Sequence, residues 1–88
     1  MNEKITNAGF VMSESFIKES ISNIIEQTGC VNVVWNAMRS NKIKDYYLTT
    51  PVDLLIAEYK KGGYDESLSI IRRARDLSSK VKIIFLLT

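Results

Sequence analysis

An 88-residue chain with 45% hydrophobic and 25% charged residues has the composition of a single small globular domain. Its 12 basic and 10 acidic residues leave a net charge of +2, which is too small to indicate a nucleic-acid-binding surface. The sequence has no histidine and one cysteine, Cys30, so disulfide frameworks, zinc sites and histidine-dependent catalytic triads are excluded.

Neither targeting signals nor membrane-spanning segments are evident in the sequence. The N-terminus lacks the apolar segment of a secretory signal, and no apolar run approaches the roughly 18 residues that cross a bilayer. The sequence therefore predicts a cytoplasmic protein without a membrane partner. Cys30 follows a predicted helix and is expected to be a small core residue rather than a reactive thiol.

The first part of the chain predicts a strand, a helix and a second strand. Residues 5–12 contain a short apolar stretch that favours a strand, and Ser13 or Ser15 can cap the helix that follows. The amphipathic pattern of that helix comes from apolar residues at three- and four-residue spacing, namely Phe16, Ile17, Ile21, Ile24 and Ile25. Thr28-Gly29 is predicted to end the helix, because glycine accepts the left-handed conformation there. The second strand is predicted from Val31 to Trp35.

The rest of the chain predicts two helices and two strands. A weaker helical pattern covers about residues 37–47 and rests on Met38, Ile43, Tyr46 and Tyr47. Residues 51–59 form a short, almost continuous apolar run, which is typical of a strand buried on both faces. A helix is expected over residues 65–78, with a core stripe of Leu68, Ile71, Ala74 and Leu77 or Arg75. Residues 80–88 are predicted as the last strand.

The order βαβαβαβ predicts one α/β domain over residues 1–88. Alternating strands and helices build a three-layer parallel sheet. With strand order 2-1-3-4, right-handed crossovers place the first helix on one face of the sheet and the other two helices on the opposite face. Ligands of parallel sheets bind at the carboxyl ends of the strands, so Glu58, at the end of the third strand, marks the expected site.

Two of these strands resemble strands of a known family. Residues 51–58 (PVDLLIAE) and 82–88 (KIIFLLT) look like the third and fourth strands of the receiver domain of bacterial two-component response regulators. The Gly62-Gly63 turn and the helix that contains Ile70-Ile71-Arg72 also match that family in order and spacing. The resemblance runs from about residue 5 to residue 88. It implies a flavodoxin-like fold that lacks the last helix, strand and helix of the family.

The resemblance also implies a set of site residues. Glu58 occupies the place of the family's phosphoacceptor aspartate, Ser13 and Glu14 that of its acidic Mg²⁺-binding pair, and Thr88 that of its switch residue. Glutamate is one methylene longer than aspartate, and a single aligned acid would bind Mg²⁺ weakly. The resemblance therefore implies no metal, no cofactor, no phosphoryl transfer and no enzymatic activity. Glu58 is then either a mimic of the phosphorylated state or a residue without a role.

The last predicted strand determines the expected partner. Receiver domains cover the sheet face beside this strand with a further helix, whose absence is expected to leave apolar residues bare, namely Ile83, Ile84, Phe85, Leu86 and Leu87. A long apolar edge strand recruits another strand. The sequence therefore predicts a homodimer, or a pair with another receiver-like chain, formed through these residues.

Three functions are compatible with this resemblance. The first is a degenerate receiver domain, or pseudo-receiver, that acts in signalling or transcription regulation through protein–protein interaction without phosphoryl transfer. The alternative is the receiver fragment of a DNA-binding two-component transcriptional regulator. The third function is self-phosphorylation on Glu58 or Asp53, and it is disfavoured. Glu58 is longer than the aspartate of the family, and Asp53 lies at the opposite end of its strand from the expected site. The basic helix residues are predicted to be solvated rather than bound to nucleic acid: Arg72, Arg73 and Arg75.

Overall fold

Four strands and three α-helices alternate along the chain in the computed structural model, which describes residues 5–12, 15–59 and 62–87. The first half contains β1 (Thr6–Val11), α1 (Ser15–Glu26) and β2 (Val31–Asn36). The second half contains a 3-10 turn (Ser40–Lys42), α2 (Ile43–Thr49), β3 (Leu54–Tyr59), α3 (Tyr64–Leu77) and β4 (Lys82–Leu87). The predicted βαβαβαβ order is confirmed. None of the described helices has the length and apolar character needed to span a bilayer.

The four strands form one parallel sheet in the order β2-β1-β3-β4. This confirms the predicted strand order and is the arrangement of a flavodoxin-like fold. Strand β3 lies inside the sheet, and Leu55, Ile56 and Ala57 are buried, as expected for a strand covered on both faces. The chain leaves β1 toward β2 on one side and returns to place β3 on the other. A cleft forms at such a switch point, at the carboxyl ends of the strands.

The two faces of the sheet carry different helices. On one face, Ile21 and Ile25 of α1 pack against a buried cluster of strand residues formed by Ala8, Phe10, Met12 and Ile56. On the opposite face, α2 and α3 pack together over a larger cluster that includes Trp35, Ile43, Leu55, Ile70 and Ala74. The predicted division of the helices between the faces is confirmed.

Helix α1 ends as predicted, but Cys30 does not enter the core. Gly29 has a φ of 75°, and the Thr28 hydroxyl donates a 2.8 Å hydrogen bond to the Ile25 carbonyl. The prediction that Cys30 is a core residue is wrong, because its side chain is exposed in the turn that precedes β2. Of the two possible cap residues, Ser15 is the first residue of α1 and Ser13 lies outside the described residues.

The helix predicted over about residues 37–47 begins later than predicted. α2 starts at Ile43, directly after the 3-10 turn. Met38 has the left-handed φ of 64°, and its main-chain N–H donates a 3.3 Å hydrogen bond to Oδ1 of Asn36. A left-handed residue cannot continue a right-handed helix. Met38 is therefore 56% exposed rather than part of a core stripe, while Ile43 is fully buried.

The core stripe of α3 agrees with the predicted stripe at Ala74, which is buried, and at Leu77, which packs against the core, but it differs in the first turns of the helix. Ser67, Ile70 and Ala74 are buried, whereas Ile71 is 36% exposed, so the assignment of Ile71 to the core is wrong. The buried Ser67 is compatible with the core because its hydroxyl donates a 3.1 Å hydrogen bond to the Gly63 carbonyl. The predicted solvent exposure is confirmed for Arg72, Arg73 and Arg75.

A register shift in β2 places Trp35 across β1. Ala8 pairs with Val33 and Gly9 with Trp35, so Val34 is the extra residue of a β-bulge. The indole lies so close to Gly9 that a β-carbon there would stand 2.6 Å from its Cζ2 atom. Glycine is the residue type that leaves this space.

Two further contacts fix the Trp35 side chain. Its indole N–H donates a 2.9 Å hydrogen bond to the Thr50 carbonyl. Its ring stacks on that of Tyr46, with the ring centroids 5.5 Å apart and the ring planes at 27°. Trp35 thus joins β1, β2 and α2.

Candidate functional site

The carboxyl edge of the sheet carries a cleft of about 440 Å³. It lies between the ends of β1 and β3, the loop before α2 and the first turns of α3. Its lining comprises Val11, Met38, Arg39, Glu58, Gly63, Glu66, Ser67 and Ile70. This is the edge at which sequence reasoning places a site.

Glu58 is the first of two carboxylates in this cleft. It stands one residue before the end of β3 and pairs with Leu86 of β4. Its side chain is half-buried, and its Oε2 atom is screened from solvent. The structure therefore places Glu58 where the expected site lies, with part of its carboxylate turned into the protein.

Glu66, the second carboxylate, is engaged by the loop before α2. Its Oε2 accepts a 3.0 Å hydrogen bond from the Ser40 main-chain N–H, and its Oε1 accepts a 2.8 Å hydrogen bond from the Ser40 hydroxyl. Ser40 is buried, so these bonds satisfy polar groups that water does not reach. Glu66 therefore acts as a brace between this loop and α3. Sequence reasoning did not identify it, because the two partners lie 26 residues apart.

The amide of Asn36 connects the ends of β1 and β2. Its Oδ1 accepts a 3.2 Å hydrogen bond from the Met12 N–H, and its Nδ2 donates a 3.1 Å hydrogen bond to the Met12 carbonyl. The Ala37 N–H adds a 2.8 Å hydrogen bond to the Phe10 carbonyl. The walls of the cleft are thus held by side-chain links that sequence reasoning missed. An asparagine at a strand end is a general turn signal and does not reveal its partner.

The charge of the cleft is mixed. Arg39, Glu58 and Glu66 all line the cleft; Arg39 and Glu66 are exposed, and Glu58 is half-buried. Among residues 5–12, 15–59 and 62–87, no group of three or more histidine, cysteine, aspartate or glutamate residues is arranged to hold a metal ion. The described part of the site offers a half-buried carboxylate, a structural carboxylate and one arginine.

Three of the predicted site residues, Ser13, Glu14 and Thr88, lie outside the described residues. Asp53 precedes β3, where its main-chain N–H donates a 3.0 Å hydrogen bond to the Asn7 carbonyl. It therefore stands at the opposite end of the strand from Glu58, as expected.

The predicted interface residues lie on β4, which pairs only with β3 among the described strands. Ile83 and Phe85 are half-buried and pack against the cluster under α2 and α3. Ile84 points to the α1 face and is 47% exposed, and Leu86 on that face is half-buried. Leu87 is the last residue of the strand, and the structure does not describe its side chain.

The exposure of Ile84 follows from the position of α1. This helix packs chiefly against β2, at the other edge of the sheet. The β4 end of that face therefore has little helical cover among the described residues. Among the four predicted residues whose side chains are described, the expected bare surface is thus concentrated at Ile84.

Comparisons of the chain with protein-family models, with curated proteins and with solved structures found no match. The support for a function therefore comes from the fold, from the position of Glu58 and from the exposed edge of the sheet.

Proposed function

We propose that this protein is a receiver-like domain that acts in signalling or transcription regulation by binding another protein, without transferring phosphoryl groups. The four parallel strands in the order 2-1-3-4 support the resemblance to receiver domains. The site and the sheet edge support the two parts of the proposal separately.

The position of Glu58 supports the absence of phosphoryl transfer. In-line transfer requires the attacking oxygen to lie close to the phosphorus and opposite the leaving group. Glu58 is one methylene longer than the aspartate of the family, and its Oε2 is screened from solvent. A phosphodonor arriving from solution therefore meets a carboxylate that is partly turned away from it.

One observation carries the proposal of protein binding: Ile84 is 47% exposed in the middle of an outer strand. An edge strand presents unpaired main-chain groups, and an apolar side chain beside them adds a hydrophobic contact for a partner. We take the partner to be a second copy of this chain, so that the protein is a homodimer joined through β4.

Sedimentation equilibrium of Ile84→Lys tests the proposed interface. Two lysines brought together at the contact repel each other, so the dissociation constant is expected to rise by about tenfold or more. Leu48→Lys is a matched control, because Leu48 is a 65% exposed apolar residue on α2, away from β4. Equal association of both variants and the wild type would place the contact elsewhere.

Treatment with acetyl phosphate and Mg²⁺ tests the other part of the proposal. We expect the intact mass of the protein to stay unchanged under conditions that label an active receiver domain. Phosphorylation of the wild type that disappears in Glu58→Gln would show that Glu58 accepts a phosphoryl group and would refute a purely binding role.

A further inference from the structure

The outer edge of β4 has a defined pattern of main-chain groups. The Lys82 N–H donates a 3.0 Å hydrogen bond to the Asp53 carbonyl, so the main-chain groups of Lys82 point toward β3. Main-chain direction alternates along a strand, and Ile84 therefore also points its N–H and carbonyl toward β3. The N–H and carbonyl groups of Ile83 and Phe85 point to the outer edge.

We propose that β4 pairs antiparallel with β4 of a second copy, across a twofold axis that passes beside Ile84. This rests on the proposed function, in which the partner is a second copy, and it specifies how the two copies meet. In this register Ile83 of one copy lies opposite Phe85 of the other. Both residues have outward main-chain groups, so they exchange two hydrogen bonds on each side of the axis.

The outer edge of β4 is self-complementary and therefore fits a second copy of the same strand. The outward groups of Ile83 and Phe85 are two residues apart and symmetric about Ile84. An antiparallel copy of the same strand therefore satisfies all of them at once. A twofold contact of this kind is closed and joins the two sheets into one of eight strands.

The charges near β4 favour the same orientation. Lys82 is exposed at the amino end of β4, and Glu58 of β3 is the register partner of Leu86 near the carboxyl end. Antiparallel pairing places Lys82 opposite Leu86 of the second copy and so brings it to the end of the sheet that holds Glu58.

The pairing also covers the exposed apolar side chain. The two Ile84 residues become a directly opposed pair without mutual main-chain hydrogen bonds, a geometry with Cα atoms about 4.5 Å apart. Their side chains then contact each other on the α1 face. Ile84, whose exposure supports the proposed protein binding, thus lies at the centre of the contact.

Residue-resolved hydrogen exchange of the wild-type protein tests this arrangement. The Ile83 and Phe85 amides are expected to exchange quickly in dilute protein and to become protected as the concentration rises through the dimer transition. The Ile84 amide, already bonded to β3, serves as the internal control and is expected to show little change. A dimer in which Ile83 and Phe85 stay unprotected would overturn the edge pairing and leave the proposed association intact. A protein that is monomeric at every concentration would overturn both.

Disulfide formation tests the register. Cys30 is exposed and is first replaced by serine to remove the native thiol. Ile84→Cys is then expected to form a disulfide-linked dimer under mild oxidation, since opposed Cα atoms lie within disulfide range. Lys82→Cys is the control: its two copies would be about 14 Å apart, four residues along the strand, and are expected not to cross-link. Equal cross-linking at both positions, or none at Ile84→Cys, would overturn the register.

Discussion

Gly9 shows how one residue determines the position of a large side chain. The indole of Trp35 occupies the space that a β-carbon at Gly9 would need. The same indole bonds to Thr50 and stacks on Tyr46, so it has little freedom to move aside. The bulge at Val34 and the glycine in β1 are therefore two parts of one arrangement.

Gly9→Ala is expected to lower the free energy of unfolding by about 2–3 kcal/mol, because the added methyl group overpacks the contact with Trp35. Urea denaturation followed by circular dichroism measures the loss. A double-mutant cycle with Trp35→Leu supplies the control, since Gly9→Ala is expected to cost much less once the indole is gone. The same cost in both backgrounds would show that the indole is not the cause.

Glu66 gives a second prediction for a single residue. Glu66→Ala leaves the N–H and hydroxyl of the buried Ser40 without their acceptors, which is expected to cost about 1–3 kcal/mol of unfolding free energy. Asp65→Ala is the matched control, since Asp65 is an exposed carboxylate in the same turn of α3. It removes a similar helix-terminal charge without touching Ser40. If denaturation shows an equal loss of unfolding free energy for both variants, the hydrogen bonds between Glu66 and Ser40 contribute nothing beyond the effect of a charge at the helix terminus.

At the level of elements, the helices and strands with clear periodicity could be predicted from the sequence. β3 is apolar except for Glu58, and α1 carries isoleucines at helical spacing and is followed by Gly29 in the left-handed conformation. The start of α2 could not be predicted, because nothing local to Met38 marks its left-handed conformation or its hydrogen bond to the amide of Asn36. Only the first part of the α3 stripe was misplaced, because the sequence does not show that the polar residue Ser67 is buried with its hydroxyl bonded to the Gly63 carbonyl.

The stripe of α3 can be tested with two adjacent isoleucines. Ile70 is 1% exposed, so Ile70→Ala is expected to cost about 2–4 kcal/mol of unfolding free energy through the cavity it leaves. Ile71→Ala removes the same atoms from a side chain that is 36% exposed and is expected to cost under about 1 kcal/mol. Thermal or urea denaturation of both variants compares them directly. Similar losses would mean that the helix is rotated from the orientation described.

At the level of the whole molecule, the alternation of elements was enough to predict the parallel sheet and the edge that carries Glu58, whereas the strand order 2-1-3-4 came with the resemblance to receiver domains. Parallel connections restrict the possible topologies to a few, so this information is present in the sequence. The walls of the cleft were not predictable, since the bonds of Asn36 and Glu66 join residues 24 and 26 positions apart. Such contacts depend on the assembled fold rather than on any local pattern.

The exposed edge follows from the same assembly. Sequence reasoning treated five apolar residues of the last strand as bare, whereas the cluster under α2 and α3 partly covers Ile83 and Phe85. Ile84 remains exposed because α1 packs chiefly against β2. This exposed side chain on an outer strand is the basis of the proposed association through β4.

Static light scattering of the wild-type protein over a range of concentrations tests the association through β4. We predict that the mass rises with concentration to twice the 10.0 kDa of the chain and stops there, because a twofold edge contact is closed. A constant mass of 10.0 kDa up to high micromolar concentration would contradict association through β4. A mass that keeps increasing beyond the dimer would contradict the closed, twofold form of the contact.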